Sequence, residues 1–183
     1  MANLLTCPAN NENLPLLDET SFDLYGMLAK FEQQLDLVAK SRGLFLGVNI
    51  YEDTSRYLYG DSMRLNTILN NLAEYIISHL TDGGIFLNVN STPIDETRCR
   101  IDMIFTDTGL GIPGYKLKTI YQPVYKMLGY DHTYKKTPSL YIAKILTSLM
   151  GGDVNVQTSF GWGTRYSAHV IMKTEMPKYN HYN

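Results

Sequence analysis

The chain has 183 residues, is 44% hydrophobic and 19% charged, and carries a formal net charge of −2 at pH 7. That length and mix describe one folded domain with a buried core and exclude a disordered segment. Lys and Arg are scattered without a basic stripe, which argues against a nucleic-acid groove, and no apolar run is long enough to span a bilayer.

Residues 1–19 are polar and proline-containing and are expected to form a mobile lead-in. They lack a basic start and a long apolar core, so no secretory signal is expected. Cys7 and Cys99 have no metal-ligand spacing and read as two free thiols in a reducing compartment. Leu24, Leu28, Phe31, Leu35 and Val38 recur at helical spacing, which predicts a core-packing helix over residues 22–40 that ends near Gly43. Leu44, Leu46, Val48 and Ile50 alternate as a strand does. Residues 51–60 form a connector with a short extended piece at Tyr57–Tyr59.

Asp61 is a good N-cap for a second helix, whose apolar stripe is Leu65, Ile68, Leu69, Leu72 and Ile76. Asn71 and Tyr75 lie four residues apart and share one edge of it. The helix stops before Asp82-Gly83-Gly84. A strand through Ile85, Leu87 and Val89 follows, then a turn over residues 91–97, then a strand from Ile101. Periodicity fades over residues 114–139, which read as a long surface loop with one short helix. Ile142, Ile145, Leu146 and Leu149 mark a helix closed by Gly151-Gly152. Val154 and Val156 mark a strand, residues 160–163 a turn, and residues 164–173 the final strand, with a loose tail over residues 176–183. Helices come between strands, yet several strand pairs have short turns. The expected architecture is α/β (α+β): a two-layer sandwich of a mixed sheet with helices on one face, one domain over residues 20–175.

The stretch Ile101–Pro113, IDMIFTDTGLGIP, carries the chemistry. Asp107 ends a buried strand, where a carboxylate can accept a hydrogen bond from an exocyclic amine such as that of adenine. Gly109 and Gly111 would let the backbone approach a flat ligand. On these residues alone a plain glycine turn fits as well.

The ordered set Asp61-Ser62-Met63-Arg64-Leu65, Ile68-Leu69-Asn70-Asn71-Leu72, Asp82-Gly83-Gly84, DTGLGIP and LMGGDVNVQTSFGWGT resembles the catalytic, ATP-binding domain of sensor histidine kinases. That family shares its fold with the gyrase and MutL ATPases. The resemblance runs from Phe22 to Met172 and implies a Bergerat-type ATP fold, with nucleotide between the helices and a flexible lid at residues 114–139. It implies Asp107 as the adenine-reading carboxylate, Gly109 and Gly111 as the first glycine box, Thr164 near the adenine, and Asn71 as the first asparagine of the helix motif.

The phosphate end departs from the family pattern. Tyr75 stands where the second asparagine helps hold magnesium, and a phenol is a poor metal ligand until it ionises near pH ~10. Ser78 stands where the family has a basic residue. Thr137-Pro138-Ser139-Leu140 replaces the second glycine box, and Pro138 has no amide hydrogen to offer a phosphate. Lys126, Lys135 and Lys136 read as solvated loop lysines.

The helix over residues 22–40 contains no phosphorylatable His; His79, His132, His169 and His181 lack that context, and Glu74 reads as solvent-facing. The resulting expectation is a degenerate kinase-like domain, with ATP binding weak or lost and magnesium doubtful. It would act as a regulatory or docking module in a two-component phosphorelay. Its expected partners are a kinase, a response regulator or a histidine phosphotransfer domain, and its expected place is the cytoplasm, alone or as part of a longer membrane sensor. The 14 Tyr fit protein contacts. The alternatives are an active ATP-dependent histidine kinase domain and a nucleotide-independent phosphotransfer protein.

Overall fold

The structure, a computed structural model, describes residues 16–122, 125–128, 133–136 and 140–174, with backbone alone for 125–128 and 133–136. The elements in chain order are β1 (Thr20–Asp23), α1 (Leu24–Ser41), β2 (Phe45–Ile50), β3 (Tyr57–Gly60), α2 (Ser62–His79), β4 (Gly84–Pro93) and β5 (Arg98–Asp107). After these come α3 (Gly114–Leu117), β6 (Tyr125–Leu128), β7 (Thr133–Lys136), α4 (Tyr141–Leu149), β8 (Asp153–Ser159) and β9 (Gly163–Thr174).

Seven strands form one sheet in the order β1-β3-β9-β5-β4-β2, with β8 added against β9. Among the described strands of this sheet only β2 and β4 run parallel, and the other pairs are antiparallel. The sheet is therefore mixed, as the element order predicts. β9 is its hub. One edge of β9 pairs with β5 over residues 164–173, while the other pairs with β8 over residues 163–169 and with β3 at Tyr59 and Leu58.

The strand alternation decides which face is covered. Ile85, Leu87, Val89, Ile101, Met103, Phe105, Tyr166, Ala168 and Val170 are buried on the helix side, while their neighbours in sequence, Gly84 apart, are half-buried or exposed. Against that face pack α1, α2 and α4 with their own stripes: Leu24, Leu28, Phe31 and Leu35 from α1, and Leu65, Ile68, Leu69, Leu72 and Ile76 from α2. Phe31 meets Phe105 edge-on at 6.3 Å between ring centres, which ties the first helix to the strand that carries Asp107.

Both long helices begin with an aspartate cap. Asp23 accepts from the Gly26 N–H at 3.1 Å, so α1 starts at Leu24, two residues later than the apolar spacing alone suggests. Asp61 accepts from the Arg64 N–H at 3.0 Å, and its other oxygen takes the Asp18 N–H and the Arg64 guanidinium, both at 3.0 Å. This carboxylate is buried, so it caps α2 and fixes the chain leading into β1 together. Asp61→Ala is expected to cost about 2 kcal/mol, the lost cap plus the lost hydrogen bonds to the Asp18 N–H and the Arg64 guanidinium. Urea denaturation should show a lower midpoint with an unchanged slope.

Three segments carry more regular structure than their sequence pattern predicts. Residues 20–23 form a strand, because they pair with β3. The β4–β5 turn shortens to residues 94–97, since pairing runs on to Pro93 and Cys99. The segment read as loop with one short helix contains α3 and also a hairpin, β6 against β7. The two ends of that segment meet where the Leu140 N–H donates to the Ile120 carbonyl at 2.9 Å. Residues 137–139, Cys7, most of the lead-in and the tail lie outside the described residues.

Candidate functional site

The strand β5 delivers Asp107 to the end of the sheet, where it is only 6% exposed. Its Oδ1 accepts the Gly109 N–H at 2.9 Å, which folds the glycine loop back over the strand end. Thr108 Oγ1 accepts the Gly84 N–H at 2.9 Å and ties the loop to β4. On the other side Thr158 Oγ1 accepts the Ile112 N–H at 2.8 Å, and the Leu110 carbonyl accepts the Gly161 N–H at 3.0 Å. Gly111 has φ +82°, and a Cβ there would lie 2.7 Å from the Ser159 carbonyl oxygen. Only glycine lets the loop sit this close to β8.

Thr164 is the direct partner of Asp107 in the β5–β9 register. It is buried, with its Oγ1 at 3.1 Å from Thr158 Oγ1. Asp107, Gly109, Gly111 and Thr164 thus line one cleft with Ile76, His79, Leu80, Asp82 and Tyr166, of about 170 Å³. Asn71 is not among the lining residues; it lies two turns before His79 on α2, and its carboxamide donates to the Thr67 carbonyl at 2.8 Å. Glu74 is exposed, as its place on the helix predicts.

Tyr75 sets the character of the site. It points inward from α2 and is 4% exposed. Its ring meets Tyr166 edge-on at 6.1 Å and lies tilted against His79 at 4.5 Å. Burial, with smaller contributions from Tyr121 and the Asp107 carboxylate, pushes the Tyr75 hydroxyl up to about 12. Burial first and Asp107 second also raise Tyr166. Both phenols therefore stay neutral beside Asp107.

His79 Nδ1 lies 2.9 Å from the Tyr75 carbonyl and 2.8 Å from Ser78 Oγ. Ser78 donates to the same carbonyl at 2.7 Å and so spends its hydroxyl on the helix end. Tyr166 and His79 escape the motif reading. Tyr166 was within reach of it, because it follows Thr164 in phase on the inward face of β9.

The residues fit a nucleotide unevenly. A buried carboxylate, a buried threonine and close glycine backbone suit a flat base with an amino group. The room, about 170 Å³, is below the ~300–1,000 Å³ of typical small-molecule pockets. The lining among the described residues has Asp82 and Asp107 but no Lys or Arg, and Tyr75, which is not itself a lining residue, stands behind Tyr166 and His79 as a neutral phenol. The described groups do not fit a magnesium triphosphate.

A mixed sheet with helices on one face, and a strand-end aspartate over a glycine loop, define a two-layer α/β sandwich with its cleft at the end of β5. Residues 60–174 match the family described as histidine kinase-, DNA gyrase B- and HSP90-like ATPases, and the chain belongs to that family. It is 27% identical over 156 residues to the sensor protein GacS of Pseudomonas syringae pv. syringae, covering 82% of this chain and 17% of that protein. It is 29% identical over 140 residues to the phosphotransferase RcsD of Escherichia coli K12, covering 76% of this chain and 16% of that protein. The chain thus spans about a sixth of the length of these relatives. The fold is similar to that of a third of full-length ShkA, solved with AMPPNP: TM-score 0.68, 22% identity, 89% of this chain and 33% of that one. It is also that of the catalytic domain of histidine kinase ThkA: TM-score 0.62, 16% identity, 86% and 98%. Among the described residues no helix is long and apolar enough to cross a membrane.

Proposed function

We propose that this domain has weakened or lost ATP binding and serves as a regulatory or docking module in a two-component phosphorelay. One observation carries the reading: Tyr75, buried against Tyr166 and His79 and held neutral beside Asp107. The family resemblance puts a magnesium-holding asparagine at that position. ATP chemistry depends on electrostatic positioning of the γ-phosphate by metal and cations, and a neutral ring supplies neither. The proposed partners are a kinase, a response regulator or a histidine phosphotransfer domain. The ThkA kinase has been solved in complex with the response regulator TrrA, which supports this class of partner. A cytoplasmic place follows from that role.

The convergence of Asp107, Gly109, Gly111 and Thr164 on one cleft favours a second reading, an active ATP-dependent histidine kinase domain phosphorylating a His on another chain or on a missing segment. Calorimetric titration with ATP, with and without magnesium, separates the two. No binding heat and an unchanged melting temperature at millimolar Mg-ATP are expected; a ligand at 100 times its Kd would add about 2.7 kcal/mol. A rise of several degrees that Asp107→Asn removes would reverse the assignment. Tyr75→Asn combined with Thr137→Gly and Ser139→Gly is expected to restore Mg-ATP binding.

A further inference from the structure

We propose that β2 is a self-pairing edge, through which two copies of this chain join antiparallel about Val48. Among the described residues β2 is the last strand at one end of the sheet, and one of its edges has no described strand beside it. Natural edge strands are normally blunted by charge, proline or a bulge. The other outer strands follow that rule: β1 ends in Asp23 and β8 begins with Asp153. β2 reads Phe45-Leu46-Gly47-Val48-Asn49-Ile50, with no charged residue and no proline, in unbroken register with β4.

The hydrogen bonds fix which groups face outward. Phe45 N–H donates to the Gly83 carbonyl at 2.9 Å and Tyr51 N–H to the Val89 carbonyl at 3.0 Å. By alternation, the amides of Leu46, Val48 and Ile50 face away from β4. In an antiparallel pair the outward-facing residues must oppose one another. A two-fold axis at Val48 sets Leu46 against Ile50 of the second copy and Val48 against itself, adding about six backbone hydrogen bonds.

That register is self-complementary on both faces. Leu46, Val48 and Ile50 pack on the core from the helix side and remain partly exposed at the open edge, where their counterparts would cover them. On the other face Phe45, 76% exposed, comes opposite Tyr51, 50% exposed. The acidic pair Glu52–Asp53 that follows the strand falls opposite Gly43–Leu44 of the second copy, next to Arg42. Acidic and basic residues therefore fall in adjacent register positions at both ends, with Arg42 also donating to the Ile77 carbonyl at 2.8 Å, and like charges oppose one another nowhere along the strand. A joint this short lies at the small end of protein interfaces, so the dimer is concentration-dependent.

Sedimentation velocity should show a monomer–dimer equilibrium. Phe45→Lys/Tyr51→Lys is expected to abolish the dimer and Phe45→Lys/Tyr51→Glu to keep it, with both variants folded because both positions are exposed. In a Cys7→Ser background, Val48→Cys should oxidise to a disulfide dimer, since residues in a hydrogen-bonded antiparallel pair sit ~5.5 Å apart at Cα. Asn49→Cys, which faces Gly47 of the second copy, should not. A chain that stays monomeric up to about 1 mM overturns the proposal. So does a dimer that survives the double lysine, or one that cross-links in the Asn49→Cys variant and not in Val48→Cys.

Discussion

Gly163→Ala is expected to lower stability by about 4 kcal/mol, combining left-handed backbone strain with overpacking. Gly163 opens β9 with φ +87°, and a Cβ there would stand 2.0 Å from the Asp107 carbonyl oxygen. No flexible side chain can yield, because the obstacle is the backbone of β5. Gly161, two residues earlier, is the control. Its φ is +80° with open space around it, so Gly161→Ala should cost only the strain, about 1 kcal/mol. Chemical denaturation of the two variants reads the difference directly. Near-equal losses would show that β5 and β9 can part at the site without disturbing the rest.

The second large effect lies at Tyr75. Tyr75→Ala empties a space walled by Tyr166 and His79 and is expected to cost about 3–4 kcal/mol, the range for deleting a buried aromatic ring. Tyr75→Phe keeps the ring and should be nearly neutral at pH 7. The pH dependence separates ring from hydroxyl. The folded-state pKa, about 12, is raised above the ordinary 10.0, so the folded protein holds this proton more tightly than the unfolded chain. The associated stability is present below pH 10 and is lost as pH rises toward 12. Denaturation midpoints of wild type should fall across that window more steeply than those of Tyr75→Phe. Parallel profiles would mean that the hydroxyl is not held away from water.

Both effects involve residues whose weight the chain only half discloses. The helices were legible because Leu24, Leu28, Phe31 and Leu35, and then Leu65, Ile68, Leu69 and Leu72, keep a 3.6-residue period on a single buried face. The sheet face was legible from alternation through Ile101, Met103 and Phe105. β1 was not, because TSFD is four residues with no pattern, and only its pairing with β3 makes it a strand. The hairpin β6–β7 escaped for a similar reason: YKML and TYKK do not alternate, and Lys126 pairs with Lys135. At the site, Asp107, Gly109, Gly111 and Thr164 could be read as one group because the ordered motifs around them resemble the sensor histidine kinase family, which implies that they share a site. Asn71 could be placed on α2, but its distance from the cleft follows from how far along the helix it lies. The contact of Tyr75 with Tyr166 joins residues 91 positions apart across α2 and β9, and no local pattern reports it.

The hub position of β9 also sets an order of assembly. β5 needs β9 along its length, β8 needs it over seven residues, and β3, with β1 behind it, reaches the sheet among the described residues through Leu58–Thr174 and Tyr59–Lys173. During synthesis the first-made strands β1 and β3 must therefore wait for the last-made one, over a sequence separation of more than a hundred residues. Such distant closure slows folding and leaves early strands unprotected on the ribosome. Nascent chains halted before residue 163 should bind holdase chaperones, and release from them should coincide with emergence of the final strand.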